Sequence, residues 1–128
     1  MPDIFPIAPV ELHLTPEQLQ RIPGTSRGNA SAPVTLFEFA DFTCPGCRNF
    51  NIYLEPIIRD SLINTGKVRF VYYDFPLGGG AHRHGFVAAR AARCANEQGK
   101  FWEMHDALFT HQGEWAFEDD PIKRFVEY

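Results

Sequence analysis

The chain has 128 residues, of which 45% are apolar and 12 are Phe, enough for one domain with a hydrophobic core. Its 12 basic and 16 acidic residues give a net charge of −4. They form no block of like charges, which argues against a nucleic-acid or lipid surface and favours small molecules or proteins as partners. No run approaches the roughly 18 apolar residues of a membrane-spanning helix, and Met1-Pro2-Asp3 lacks the basic start of a signal peptide.

Residues 1–33 carry six of the ten prolines and end in GTSRGNASAP, a composition that predicts an irregular lead-in. Within it, TPEQLQRI is typical of a short helix. Thr15 would be its N-cap, and Gln18 stands at the position that completes a capping box.

A β-α-β unit is predicted over residues 34–77. VTLFEFA, at 34–40, is a short apolar and β-branched run that predicts a buried strand, and KVRFVYYDF, at 67–75, predicts a second. Apolar residues at helical spacing lie between them, with a kink expected near Pro56 because proline lacks the backbone donor. The two strands should be parallel, with a right-handed crossover.

Residues 78–128 are predicted to be helical. Apolar stripes mark helices over 86–98 and 101–109. A further helix is expected to start with Asp120 as cap and Pro121 at its first position, and the chain looks cut within that helix at Tyr128.

The stretch FADFTCPGCRNF contains a Cys-x-x-Cys motif, which suits a zinc site, a structural disulfide or a redox centre. Zinc in a structural site takes four ligands, and His82 and His84, two positions apart, are poorly spaced to complete a Cys2His2 set. A disulfide that closes so small a loop removes little entropy from the unfolded chain. The redox interpretation is therefore favoured, with zinc second.

A strand followed by a short loop would deliver Cys44 to the N-terminus of a helix, where unpaired N–H groups favour a thiolate. Pro45 suits the first helical turn, and Cys47 lies one turn further on the same face. We therefore expect Cys44 to be the nucleophile and Cys47 the resolving thiol.

Glu38 lies inside the first apolar strand. A buried carboxylate is costly unless it is paired or protonated, so its pKa should be raised toward neutrality. Beneath the active-site helix it could relay the proton of Cys47. The alternative is a solvated side chain at a sheet edge.

Three stretches together resemble the DsbA-like thiol–disulfide oxidoreductases of the thioredoxin superfamily: APVTLFEFADFTCPGCRNF, VYYDFPL and AARAARCANEQGKFWEMHDALF. The resemblance covers roughly residues 30–118. It implies an α/β thioredoxin-like fold with an inserted helical segment, and a disulfide oxidase or isomerase acting on cysteine-containing proteins. It also implies a membrane redox partner protein, no cofactor or metal, and an extracytoplasmic location in a bacterium.

The resemblance assigns a role to each residue of the motif. Cys44 matches the exposed nucleophile, Cys47 its buried partner, and Glu38 the buried acid of thioredoxin-like proteins. Pro45 and Gly46 match the dipeptide that tunes the reduction potential.

The family's cis-proline loop, its last two strands and its last helix have no counterpart before Tyr128. This departure predicts a sheet of only two strands with an open edge, and with it either self-association or domain swapping through that edge, or lowered stability. The alternative hypothesis is a non-catalytic fragment, or a metal-binding module that uses Cys44 and Cys47.

The remaining candidate residues are interpreted mainly as structural. Cys94, on an Ala-rich helix, is predicted to be a small buried hydrophobe, with a third redox thiol as the alternative. His82 and His84 are interpreted as the polar start of that helix, with the mouth of the active site or a metal as alternatives. A satisfied packing role is predicted for His105. Phe101 and Trp102 are expected in the core, with contact to unfolded substrate as the alternative.

Overall fold

The computed structural model describes residues 15, 17, 18 and 24–128. The predicted capping box is present, because the Thr15 N–H donates to Gln18 Oε1 at 2.9 Å and the Gln18 N–H donates to Thr15 Oγ1 at 3.2 Å. The other residues of that predicted helix, 16 and 19–22, lie outside the described residues. No helix in the described part of the chain is long and apolar enough to cross a membrane.

The predicted β-α-β unit is confirmed. Strand β2, Val34–Ala40, pairs in parallel with β3, Val68–Asp74, in a register that runs from Val34↔Val68 to Ala40↔Asp74. Side chains alternate along β2, so Glu38 and Ala40 share a face while Phe37 and Phe39 occupy the other.

The sheet has a third strand that the sequence analysis missed. Strand β1, Thr25–Arg27, lies within the lead-in that was predicted to be irregular, and it pairs antiparallel with β3. The strand order in the described residues is β1-β3-β2, so the prediction of a two-stranded sheet is wrong. Among the described residues β1 and β2 are the two edge strands, so the predicted open edge is present at β2.

Helix α1 occupies residues 45–63 and joins β2 to β3. It consists of α-helical segments at Pro45–Asn49 and Glu55–Ile58, each followed by a π-helical segment, at Phe50–Leu54 and Arg59–Ile63. The expected kink near Pro56 thus takes the form of a π-helical segment just before it. The wider turn accommodates the proline ring and does not require the backbone N–H that proline lacks.

Four helices follow β3. A 3₁₀ turn at Gly80–His82 leads into α2, Gly85–Glu97, and the next helices are α3, Phe101–Thr110, α4, Gln112–Trp115, and α5, Ile122–Glu127. The start of α5 differs by one residue from the expectation. Pro121 is its N-cap, and Asp120 Oδ1 accepts the Ile122 N–H at 3.2 Å.

The core lies between the sheet and α3, and it contains an aromatic cluster around one histidine. His105, 1% exposed, meets Tyr72, Phe42 and Phe109 edge-on. Burial lowers its pKa, while its Nδ1 lies 2.8 Å from Asp106 Oδ1 and its Nε2 has no partner. The predicted packing role of His105 is confirmed, although only one of its ring nitrogens is satisfied.

The predicted burial of Cys94 is wrong. The inner face of α2 carries Ala88, Ala92 and Ala95, whereas Cys94 is exposed. The predicted stripe was set about one residue, or 100°, away from the true one, because an Ala-rich helix offers few large side chains to mark its buried face. Cys94 instead lines a groove of about 870 Å³ between α2, α3 and α5.

A buried group of charges joins β1 to α1. Glu55 is 2% exposed, and its two carboxylate oxygens lie 3.5 Å from Arg27 Nη2 and 3.8 Å from Arg59 Nη1. Arg27 also stacks 3.8 Å above the Trp102 ring. Burial raises the pKa of Glu55, and the two arginines oppose that rise. Trp102 is thus a half-buried packing residue, and Phe101 is buried in the core as expected.

Candidate active site

Cys44 stands where the loop after β2 becomes α1. It is the N-cap residue, with an extended backbone (φ −78°, ψ 121°), and Pro45 follows it in the first turn of the helix. Its carbonyl accepts the Arg48 N–H at 3.0 Å, the first bond of the helical ladder. Cys44 therefore stands at the end of α1 where the first backbone N–H groups have no partner within the helix, and its side chain makes no capping hydrogen bond to them.

Cys47 is one turn further, and its thiol is close enough to Cys44 for the two to share a hydrogen bond. Both are free, half-buried thiols. Burial raises the pKa of Cys47 to about 11, reinforced by Cys44 and by the charge of Glu38, whereas a hydrogen bond with the backbone of Asp41 acts in the opposite direction. At neutral pH Cys47 therefore stays protonated.

Gly46 leaves open space next to the Cys44 sulfur. A β-carbon built at Gly46 would meet the sulfur at 3.7 Å, an ordinary contact distance, and no other atom within 4 Å. Pro45 and Gly46 are both exposed, so the dipeptide between the cysteines faces outward.

Glu38 faces α1 although β2 is the edge strand. Its Oε1 accepts a hydrogen bond from Asn51 Nδ2 at 2.6 Å, and its buried Oε2 has no hydrogen-bond partner among the residues that the structure describes. Burial raises its pKa to about 7; the nearby Glu55 adds to the rise, while the Asn51 hydrogen bond and Arg27 reduce it. The alternative of a solvated edge carboxylate therefore does not hold.

Asn51 links the carboxylate to the cysteine helix, and the sequence analysis did not single it out. Its Nδ2 donates both to Glu38 Oε1 and to the Cys47 carbonyl, the latter at 2.9 Å. Asn51 lies four residues after Cys47, at the spacing that puts two side chains on one helical face. Only the predicted position of Glu38 beneath that face could have drawn attention to it.

The loop before Cys44 is organised by Asp41, a second residue that the sequence analysis missed. Its buried carboxylate accepts the Thr43 N–H at 2.7 Å, the Thr43 hydroxyl at 2.6 Å and the Leu77 N–H at 2.7 Å. The Cys44 N–H donates to the Asp41 carbonyl at 3.0 Å. Asp41 thus anchors this loop, residues 41–44, to the segment that follows β3. We call these four residues the cysteine loop.

His82 and His84 are separated by the structure. His82 Nδ1 lies 2.8 Å from Thr43 Oγ1. Since the single hydroxyl hydrogen of Thr43 goes to Asp41, His82 Nδ1 must donate. His82 thus contacts the loop that carries Cys44, in agreement with the alternative that placed these histidines at the mouth of the active site. His84 caps α2, and its Nε2 lies 2.6 Å from the Glu118 carbonyl oxygen.

A metal site is not assembled from the described residues, because no group of three or more His, Cys, Asp or Glu side chains is gathered there. His105 and His111 are separated by five residues, a spacing compatible with a zinc finger. Each instead pairs with an acid on its own helical segment, Asp106 and Glu114 respectively.

Gln112, the first residue of α4, also reaches the cysteine loop. It is 6% exposed, and its Nε2 donates to the Phe42 carbonyl at 2.6 Å and to the Cys44 carbonyl at 3.1 Å. No sequence signal identified it, because a single polar residue at a helix junction has no periodicity or motif of its own.

Comparison with known proteins identifies one sequence family, described as Thioredoxin, that matches residues 20–126. A relative named Na(+)/H(+) antiporter NhaA 3, from Salinispora tropica, is 47% identical over 101 residues, which cover 79% of this chain and 14% of the antiporter. Another, named probable disulfide bond formation protein D, from Bacillus cereus, is 34% identical over 98 residues, or 73% of this chain and 45% of the relative. The chain thus spans less than half the length of either relative.

Solved structures share the fold. The α-DsbA1 protein of Wolbachia pipientis superposes with a TM-score of 0.71 at 25% identity, over 85% of this chain and 56% of that protein. BdbD from Bacillus subtilis, in its oxidised form, gives a TM-score of 0.60 at 24% identity, over 80% of this chain and 63% of BdbD.

Proposed function

Because the chain belongs to the thioredoxin family and has the DsbA-type fold of its solved relatives, we propose that it catalyses thiol–disulfide exchange on protein cysteines. The supporting observation is the pair of thiols at the start of α1, with Cys44 at the N-cap and the half-buried Cys47 one turn behind it. Cys44 lies at the start of the helix, next to the exposed Gly46, whereas burial raises the pKa of Cys47 to about 11 and keeps that thiol protonated until it is needed.

In the proposed reaction, a substrate thiolate attacks the sulfur of Cys44 in the Cys44–Cys47 disulfide. The bond between the two cysteines breaks, Cys47 leaves as a thiolate, and a mixed disulfide joins the substrate to Cys44. A second substrate thiolate then attacks the substrate sulfur of that mixed disulfide and releases Cys44. The substrate loses two electrons and two protons, and the cysteine pair gains them.

Glu38 supplies the proton that Cys47 takes up as it leaves. The pKa of Glu38 is about 7 and that of Cys47 about 11, so transfer from the carboxyl to the thiolate is downhill by about four units (11 − 7). The hydrogen bonds of Asn51 to Glu38 and to the Cys47 carbonyl keep the acid next to the helical turn that carries this thiol. Pro45 and Gly46 tune the reduction potential through their position between the sulfurs.

Oxidation of substrates is the direction that we propose, rather than isomerisation. The relatives named disulfide bond formation protein D support it, at 34% and 33% identity. A catalytic cycle then needs an oxidant that restores the Cys44–Cys47 disulfide, and we assign this role to a membrane redox partner protein. An isomerase would instead rearrange a scrambled test protein without any added oxidant.

An extracytoplasmic location in a bacterium follows from this direction, because disulfides persist in oxidising compartments. Relatives named after disulfide formation and after a membrane antiporter support such a location. A thiol reagent that does not cross membranes should label Cys94, which is exposed, in intact cells that express the protein. Labelling only after lysis would contradict this location.

Oxidative refolding of a reduced, unfolded test protein tests the proposed exchange. Cys44→Ser should abolish the reaction, because no sulfur is left to form the mixed disulfide. When Cys47→Ser is mixed with a disulfide-bonded test protein, the Cys44 thiolate attacks that disulfide and releases one substrate thiol. Because Cys47 is not there to attack the mixed disulfide, a covalent adduct between Cys44 and the substrate should accumulate, visible on a non-reducing gel and by mass spectrometry.

Cys94→Ser is the matched control, since it makes the same substitution at an exposed cysteine outside the pair. It should keep the activity of the unmodified chain. Equal trapping by Cys44→Ser and Cys47→Ser would contradict the assigned roles. Stoichiometric zinc that resists dialysis and protects both thiols from alkylation would instead support the metal-binding alternative.

A further inference from the structure

Gln112 is a buried amide that holds two carbonyls of the cysteine loop with one nitrogen. An amide NH2 group carries two hydrogens, so Gln112 Nε2 can donate to the carbonyls of Phe42 and Cys44 at the same time. These residues flank Thr43, whose own N–H and hydroxyl are held by Asp41. Gln112 on α4 therefore holds residues 42 and 44 of the loop, and Asp41, within the loop itself, holds residue 43.

The geometry of this loop decides where the Cys44 sulfur lies relative to α1. The Cys44 carbonyl accepts from both Arg48 N–H and Gln112 Nε2, so one oxygen joins the first turn of α1 to α4. A shift of the Cys44 backbone away from its N-cap conformation would turn the sulfur away from the unpaired N–H groups. The dipole effect of a helix falls off within one turn, so a small displacement matters.

We propose that Gln112 is a positioning residue for Cys44. From α4, in the helical segment that follows β3, Gln112 holds the nucleophile at the start of α1. The effect of this positioning on catalysis rests on the proposed exchange reaction, whereas the positioning itself can be measured on the chain without a protein substrate. The helical segment thereby contributes a polar contact to the redox centre in addition to packing.

Gln112→Met tests this role, because methionine has nearly the same shape and cannot donate hydrogen bonds. Two quantities are measured on the full chain: the alkylation rate of reduced Cys44 by iodoacetamide at pH 7, localised by peptide mass, and the equilibrium constant for oxidation of the cysteine pair by glutathione disulfide. We expect alkylation to slow about two- to fivefold. The oxidation constant should rise by a similar factor, because the reduced form loses stabilisation.

Gln98→Met is the control, since it makes the same substitution at an exposed glutamine at the end of α2, and it should leave both quantities unchanged. If Gln112→Met does not fold, Gln112→Asn, which keeps an amide but is one methylene too short, is measured in its place with the same expected direction. Values equal to those of the unmodified chain would overturn the proposal. Both readouts are independent of protein substrates, so a failure of the exchange reaction would be recognised separately.

Discussion

At the scale of single residues, the two cysteines of one motif occupy different environments. Cys44 lies at a helix terminus, as the N-cap residue of α1. Burial raises the pKa of Cys47 to about 11, and a carboxylic acid with a pKa of about 7 lies beneath the same helix. The proposed division between an attacking thiol and a resolving thiol follows from these surroundings, since the residue type is the same.

Glu38 should make the stability of the protein pH-dependent. Its pKa is about 7 when folded and 4.5 when fully solvated, so between these values the folded state binds more protons than the unfolded state. Stability therefore falls as the pH rises through this window. The difference of 2.5 units corresponds to at most about 3 kcal/mol, reached above pH 7.

Glu38→Gln should remove this dependence. Glutamine can still accept the Asn51 hydrogen bond without carrying a charge, so urea unfolding should show a gain of up to about 3 kcal/mol at pH 8 and little change at pH 4.5. Glu97→Gln, at an exposed position on α2, is the control. A gain of the same size at both pH values would show that the charge of Glu38 is not its cause.

Glu38→Gln should also slow the reduction of the Cys44–Cys47 disulfide, although it stabilises the fold. We expect reduction of the Cys44–Cys47 disulfide by a small dithiol to slow by roughly tenfold or more in Glu38→Gln. Positioned acids typically contribute 10²–10⁴, and water can replace part of that at a half-buried thiol. The pH profile of the rate should also lose its inflection near 7. An unchanged profile would contradict the assigned role of Glu38.

At the scale of elements, the close approach of α2 to the cysteine loop requires a glycine. A β-carbon on Gly85, at the start of α2, would lie 2.8 and 2.9 Å from the two carboxylate oxygens of Asp41. That carboxylate cannot move away freely, because it accepts three hydrogen bonds from Thr43 and Leu77. The absence of a side chain thus brings the helix and the loop together.

Gly85→Ala should therefore destabilise the protein, by about 1–3 kcal/mol, as is typical of overpacking. Gly113→Ala is the matched control, because it also lies in a helix but has no atom within 4 Å of the added carbon. It should be neutral or stabilising by up to about 1 kcal/mol, the usual gain when alanine replaces a helical glycine. Urea unfolding of both variants at one pH measures the change in the free energy of unfolding for each. A loss of equal size in both variants would contradict the steric explanation.

The elements that could be predicted from the sequence are those with a strong periodic pattern. Strand β2 begins and ends at the predicted residues, and the helix that starts after Cys44 is where the motif places it. Strand β1 was missed because Thr25, Ser26 and Arg27 are polar, and three residues show no alternation. Its strand conformation comes from pairing with β3, which is tertiary context.

The candidate site was predictable only in part. The sulfur pair and Glu38 were identifiable because each breaks an apolar pattern or forms a motif. Asp41, Asn51 and Gln112 act through hydrogen bonds to backbone groups and to other side chains, and those partners become neighbours only in the folded chain. The prediction for Cys94 was wrong for a different reason. An error of one residue in the position of the buried face of a helix is enough to make an exposed side chain look buried.

At the scale of the whole molecule, the sheet presents an open strand edge next to the redox centre. In the described residues β2 pairs only with β3. The apolar side chains of Val34, Phe37 and Phe39 on this strand are between 40% and 56% exposed. Phe37 and Phe39 share a face of the strand with Thr35, so no charged side chain on that face protects the edge against pairing with another strand.

This edge should make the chain self-associate. We expect sedimentation equilibrium to show a concentration-dependent dimer, because two β2 edges can pair and cover these side chains. Phe37→Lys should shift the equilibrium toward the monomer. Phe117→Lys, at a phenylalanine exposed to 70% between α4 and α5, should not. A monomer at all concentrations would contradict this expectation.

Strand β1 has only three residues, yet its release from the sheet would be linked to proton uptake. Arg27 accompanies the strand, and its departure would remove one of the two cations beside the buried carboxylate of Glu55. Because burial already raises the pKa of Glu55, loss of that cation would raise it further, and the carboxyl would bind a proton when the strand opens. Local opening at this end of the sheet should therefore become more frequent as the medium becomes more acidic.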